Sequence, residues 1–103
     1  MKDKLLTDLF LGFIKVHILH HAEKEKIFGQ EFRDELKSHG YEISFGTLYP
    51  IFHKLEEDKY LKSTKINVEG KVRRYYQITP RGRRILDKAK NYAKELVDEL
   101  FEK

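Results

Sequence analysis

A mainly helical α+β fold is predicted by three features of the sequence. In four stretches, apolar residues recur at three- and four-residue steps, the period of an amphipathic helix. Between the third and fourth stretches lie two short runs rich in β-branched and aromatic residues, 60–66 and 71–78, joined through a glycine-containing turn. Serine, threonine, glycine and proline stand at the boundaries where helix caps and stops need them. A chain of 103 residues suits one compact domain.

Leu6, Leu9, Phe10, Phe13, Val16 or His17, and His20 share one side of a first helix over 4–21. The charged run 22–26 reads as a loop. A second helix covers 29–39 with Phe32 and Leu36 inward, and Gly40 stops it, since glycine tolerates a left-handed backbone. Ser44 is an N-cap for a third helix with the apolar stripe Leu48, Ile51, Phe52 and Leu55. Pro50 removes a backbone donor, which is harmless only in the first turns, so this helix starts near 45–47 and ends at 57–59. In the strand pair Tyr76 and Ile78 share one face while Arg73, Tyr75 and Gln77 share the other, and 67–70 form the turn. Thr79-Pro80 then opens a last helix to about residue 102. At 1.5 Å per residue it is about 34 Å long.

Helix, helix, helix, strand, strand, helix, with a tight second link and a basic hairpin tip, is the order of a winged helix-turn-helix domain. Residues 1–79 then form the winged-helix unit including the N-terminal helix, and 80–103 a long C-terminal dimerisation helix. Leu86, Ala89, Ala93, Leu96, Val97, Leu100 and Phe101 lie on broad faces of that last helix, with no later element to cover them. The first helix, through Leu6, Phe10 and Phe13, also shows more apolar surface than a small core needs. A two-fold homodimer built from the first and last helices covers both.

The chain has no cysteine, which excludes disulfides, thiolate metal sites and thiol nucleophiles. Its most apolar stretch, 5–19, is broken by Asp8, Lys15 and His17, so it is neither a membrane span nor a signal core, and a cytoplasmic location is expected. The net charge of +4 hides an asymmetry: residues 59–94 carry twelve basic and two acidic side chains, net +10, while 1–58 and 95–103 are each net −3. A block that basic, gathered on one face, attracts a polyanion; spread out, it is only a solvated surface. No nucleophile with a base, phosphate-binding glycine loop or paired carboxylate motif supports an enzyme, and no cofactor is expected. Glu56-Glu57-Asp58 reads as a solvated helix end.

Gly46-Thr47-Leu48-Tyr49-Pro50, then His53-Lys54-Leu55-Glu56, Gly70-Lys71, Arg73-Arg74-Tyr75-Tyr76, Thr79 and Gly82 together resemble the PadR family of bacterial and archaeal transcriptional regulators, from about residue 13 to 86. The resemblance implies a dimeric winged-helix repressor with its third helix in the major groove of double-stranded DNA. The wing tip approaches the minor groove or backbone, and the first and last helices form the dimer. A single C-terminal helix resembles the short subfamily. Some relatives respond to phenolic acids or flat aromatic drugs near the dimer interface, which makes a small aromatic ligand an expectation here. Three positions depart from the pattern: Gln30 replaces a usual tyrosine, Phe45 a common proline, and Lys59 a usual glycine.

The DNA-contacting set implied is Ser44, Thr47, Tyr49, Pro50, His53 and Lys54 on the third helix, with Lys71, Arg73 and Arg74 on the wing. Hydroxyls at Thr47 and Tyr49 reach phosphates or base edges; the bland alternatives are a cap at Thr47 and packing at Tyr49. Ser44 is equally well only a cap, and His53 only a surface residue. Arg81, Arg83 and Arg84 oppose the dipole of the last helix and need either DNA or a pairing with Glu56, Glu57 or Asp58. His17 and His21, four apart, have zinc-pair spacing but no third ligand nearby, so packing of His17 or His20 in the dimer seam is the simpler reading. Phe10, Phe13, Tyr92 and Phe101 are either ordinary core or the lining of an aromatic effector cavity. The expected function is sequence-specific operator binding as a homodimer. The alternative is a winged-helix module that binds protein or RNA without reading an operator.

Overall fold

A computed structural model describes residues 3–102; residues 1, 2 and 103, at the outer ends of the two expected units, lie outside the described residues. The elements are α1 (Lys4–Lys24), β1 (Ile27–Phe28), α2 (Gly29–Ser38), α3 (Phe45–Glu57), β2 (Leu61–Val68), β3 (Lys71–Ile78) and α4 (Pro80–Leu100). The three strands form one antiparallel sheet in the order β1-β3-β2. Ile27 faces Tyr76 across β1 and β3, and the hairpin register runs from Leu61 opposite Ile78 to Val68 opposite Lys71. This is the mainly helical α+β winged-helix order anticipated above.

The core lies where α1, α2 and α3 close over the base of the sheet. Ile14, Ile18, Phe32, Leu36, Leu48, Phe52, Leu61 and Leu86 are its fully enclosed side chains. The Phe52 ring stands edge-on to Phe32 at 5.9 Å and tilts against Tyr76 at 4.6 Å, joining α3 to α2 and to β3. Tyr76 and Ile78 are buried, as their alternation requires.

Several boundaries differ from expectation. The charged run at 22–26 continues α1 through Lys24, because Ala22 faces the core while its charged neighbours face water. Ile27 and Phe28 add a two-residue strand, too short to show alternation. The hairpin turn narrows to Glu69-Gly70, both at positive φ (51° and 83°), and the Asn67 side chain accepts from the Gly70 amide at 3.0 Å. Leu86 is a correction of its placement on the free face of the last helix. It is wholly enclosed, since the first turns of α4 pack on α1.

Both helices of the helix-turn-helix end in the same way. The Gly40 and Tyr41 amides donate to Lys37 and Leu36, and the Lys59 and Tyr60 amides donate to Glu56 and Leu55. Gly40 takes its left-handed conformation freely, whereas Lys59 is held at φ 69° despite its Cβ. The last helix is seated equally tightly. Thr79 caps it by accepting from the Gly82 amide at 3.0 Å, and its hydroxyl donates to the Lys59 carbonyl at 2.6 Å. A Cβ on Gly82 would collide with the Tyr60 carbonyl oxygen.

Two substitutions test these backbone sites. Gly82→Ala should lower unfolding stability by about 1–3 kcal/mol, because a carbonyl held by its own chain cannot yield as a side chain would. Lys59→Gly should raise it by about 0.5–1 kcal/mol through relief of the left-handed conformation. Urea melts at matched protein concentration read both.

Candidate nucleic-acid interface

The apolar stripe of α3 faces the core, so the opposite side of the helix is free. Gly46, Thr47, Tyr49, Pro50, His53, Lys54 and Glu57 are all exposed on it. The helix begins at Phe45, which puts Pro50 in its second turn, and Ser44 caps it by accepting from the Thr47 amide at 3.2 Å. The Ser44 hydroxyl also donates to the Thr47 hydroxyl at 3.2 Å, so these two side chains are engaged with each other at the helix start.

Beside α3 the wing forms one wall of a groove of 490 Å³, whose lining includes Gln30, Tyr49, His53, Lys71, Arg73 and Arg74. Five of the nine side chains singled out for DNA therefore meet in one depression. Ser44 and Thr47 lie toward the other end of α3, against α1 and the link after α2. Lys54 points to its own helix end, with Asp58 at 3.4 Å and Glu57 at 3.5 Å. Hydrogen bonding and charge from Asp58, then from Glu57, raise its pKa.

The wing arginines are positioned in different ways. The Arg73 guanidinium lies 4.6 Å from the centre of the Phe28 ring, and that ring packs edge-on against Tyr75 at 5.2 Å. The Arg74 guanidinium donates to the Ser63 hydroxyl at 3.0 Å and sits 3.8 Å from the Glu56 carboxylate. Glu56 in turn accepts from the Ser63 amide at 2.9 Å and hydroxyl at 2.6 Å. Far from being a solvated helix end, Glu56 is the tie between α3 and the wing. Its value was hidden because the Ser63 partner lies on another element. Phe28, in the unpredicted β1, was equally invisible as a platform for Arg73.

At the start of α4, the Arg81 side chain donates to the Asp58 carbonyl at 3.2 Å, with its guanidinium 5.2 Å from the Tyr60 ring centre. Pairing with a main-chain oxygen thus accounts for one of the three basic residues there, while Arg83 and Arg84 are exposed.

The helices α1 and α4 expose large apolar side chains: Leu6, Leu9 and Phe13, with Tyr92, Leu96, Val97, Leu100 and Phe101. Phe101 is 75% and Tyr92 73% exposed. Ala93 is exposed and Ala89 partly covered, while Phe10 leans on the core with its ring 5.4 Å from Tyr41. Only Gly82 and Leu86 of α4 are buried. No helix among the described residues is long and apolar enough to cross a membrane.

The histidines pack against one another. The His17 and His21 rings stack at 6.3 Å, and His21 stands edge-on to Phe32 at 5.8 Å. Glu35 lies 3.2 Å from His39 and 3.9 Å from His21. Among the described residues no group of three or more His, Cys, Asp or Glu side chains is arranged to hold a metal ion. Burial lowers the pKa of His17 and of His21, and Glu35 opposes the effect at both.

Comparison with known proteins gives a consistent result. A family model described as the transcriptional regulator PadR-like family matches residues 18–88. The chain is 42% identical over 88 residues to transcriptional regulator Rv3488 of Mycobacterium tuberculosis, a match covering 85% of this chain and 82% of that protein. A transcriptional regulator from Clostridium thermocellum superposes with a TM-score of 0.77 at 31% identity, over 93% of this chain and 99% of that one. A PadR family transcriptional regulator from Eggerthella lenta does so with a TM-score of 0.82 at 29% identity, over 93% and 85%.

The histidine packing carries a pH dependence of defined sign. Both rings are held below their ordinary pKa, so on acidification the unfolded chain takes up protons first, from about pH 6.5. Stability should be full above that pH and decline as it falls to 5.5. His21→Gln should flatten the decline, as read by thermal melts at fixed protein concentration.

Proposed function

Since the chain belongs to the PadR-like family of transcriptional regulators, whose members regulate through DNA, we propose that it is a repressor that binds a palindromic operator as a homodimer. The observation that carries this reading is the single groove that joins the free face of α3 to the basic wing. Tyr49 and His53 look out from the helix into it, and Lys71, Arg73 and Arg74 edge it. In this reading α3 enters the major groove, with Thr47, Tyr49, Pro50 and His53 at base edges and Ser44 and Lys54 toward the backbone. The wing side chains neutralise phosphates or enter a narrow minor groove.

Residues 1–79 act as the DNA-binding unit and 80–103 as the arm that pairs two copies. The exposed apolar faces of α1 and α4 support this, because leaving so many large side chains in water costs about 1.5–3 kcal/mol for each one that a partner would cover. A two-fold axis through that seam presents two recognition helices to half-sites about 34 Å apart. A small flat aromatic effector would enter the same seam, against Phe13, Tyr92 and Phe101, and change the separation of the helices.

The test is titration of the protein's own upstream intergenic duplex beside a scrambled duplex, over rising salt. Preference for the native fragment that persists at physiological salt is expected. Equal binding to both duplexes that vanishes steeply with salt would leave only a basic surface. Arg73→Ala should weaken binding to both duplexes and reduce the salt slope by about one. Tyr49→Ala should weaken binding to the native fragment by about tenfold and spare the scrambled one. For the assembly, Leu100→Asp should give a folded monomer by sedimentation, with loss of most operator affinity.

A further inference from the structure

We propose that Phe45 is a positioning residue for sequence recognition: its ring holds Tyr49 in one orientation at the front of α3, ready for a base edge before DNA arrives. This inference rests on the operator-binding reading above and identifies how one of its residues is prepared for it.

Phe45 is the first residue of α3, and Tyr49 follows one turn later on the same side. Their rings are 5.1 Å apart and nearly parallel, at 14°. The Phe45 ring is itself held, since the Arg33 guanidinium lies 4.4 Å from its centre. Arg33 is not free to swing, because its Nε donates to the Ile43 carbonyl at 3.0 Å, in the link just before α3. The stack therefore runs from a side chain of α2, anchored on the inter-helix link, through Phe45 to Tyr49.

A second boundary on Tyr49 comes from backbone. At Gly29, the first residue of α2, an added Cβ would lie 2.8 Å from Tyr49 Cε1. The Tyr49 ring thus has Phe45 as one neighbour and bare main chain as another. It is nonetheless 44% exposed, and no described residue hydrogen-bonds its hydroxyl. A ring fixed in orientation with its polar end unspent is the arrangement expected of a group whose partner comes from outside. An exposed tyrosine without such neighbours would populate several rotamers and lose that freedom on binding.

Sequence choice, and not general affinity for DNA, should therefore depend on Phe45. Phosphate contacts from the wing are separate from the stack and carry the non-specific term.

The experiment compares wild type, Phe45→Leu and Phe45→Tyr. Each is titrated with a duplex selected from a randomised pool by the wild-type protein, and with a scrambled duplex of the same composition. In parallel, the Tyr49 ring protons are followed by NMR in the free proteins. Leucine keeps the apolar cover but removes the ring, while tyrosine keeps the ring. Phe45→Leu should reduce the ratio of selected to scrambled affinity by about tenfold, through the selected duplex alone, and shift the Tyr49 ring protons downfield. Phe45→Tyr should preserve both ratio and shift. The proposal is overturned if the leucine variant discriminates as wild type does, if it loses affinity equally for both duplexes, or if the Tyr49 resonances stay in place. Failure of wild type to enrich any sequence overturns the operator reading itself, and this proposal falls with it.

Discussion

Phe52 is the side chain on which the placement of the other elements depends. It is wholly enclosed, and its ring meets Phe32 of α2 edge-on and tilts against Tyr76 of β3. One residue of the third helix thereby sets the crossing of the helix-turn-helix and the approach of the wing. Loss of a ring this enclosed would cost about 3–5 kcal/mol, a large part of the stability of a chain this short. The surface arrangement follows from the same contact. With Phe52, Leu48, Ile51 and Leu55 committed inward, the polar side of α3 has only one direction left to face, and the wing stands beside it.

Much of this was legible along the chain. The third helix was readable because its apolar stripe, serine cap and early proline agree about where it starts. The strands were readable because Tyr76 and Ile78 alternate with polar neighbours. What escaped notice depended on partners distant in sequence. Glu56 looks like one of three solvated acids until the fold brings Ser63 and Arg74 to it. Leu86 looks like the start of a free apolar face until α1 covers it. Ala22, among charged neighbours, does not announce a buried helical position. The two residues of β1 carry no period at all, although Phe28 supports Arg73 from there.

The helix α4 carries both cations and exposed apolar side chains: Arg81, Arg83, Arg84, Lys88, Lys90 and Lys94 occupy it from its first turn onward, and Tyr92, Leu96, Val97 and Leu100 lie toward its end. A cation buried under a partner would have to be dehydrated, so it is the cation-poor end of α4 that is most readily covered. The net +10 segment spans the hairpin and most of α4, but in the structure Arg81 turns back to the Asp58 carbonyl and Arg74 to Ser63 and Glu56. The basic block therefore splits into side chains that orient the local backbone and side chains, such as Lys71 and Arg73, that remain on the groove.

The seat of α4 has a mechanical consequence. Its first turn is fastened to the turn that ends α3 by the Thr79 hydroxyl on the Lys59 carbonyl, the Thr79 amide on the Tyr60 carbonyl and Arg81 on the Asp58 carbonyl. Gly82, bare against Tyr60, leaves no slack between them. The two helices therefore behave as a bent lever with a stiff elbow at residues 58–60. A displacement of the long, uncovered end of α4 would therefore reach α3 through this elbow, where these hydrogen bonds join the two helices.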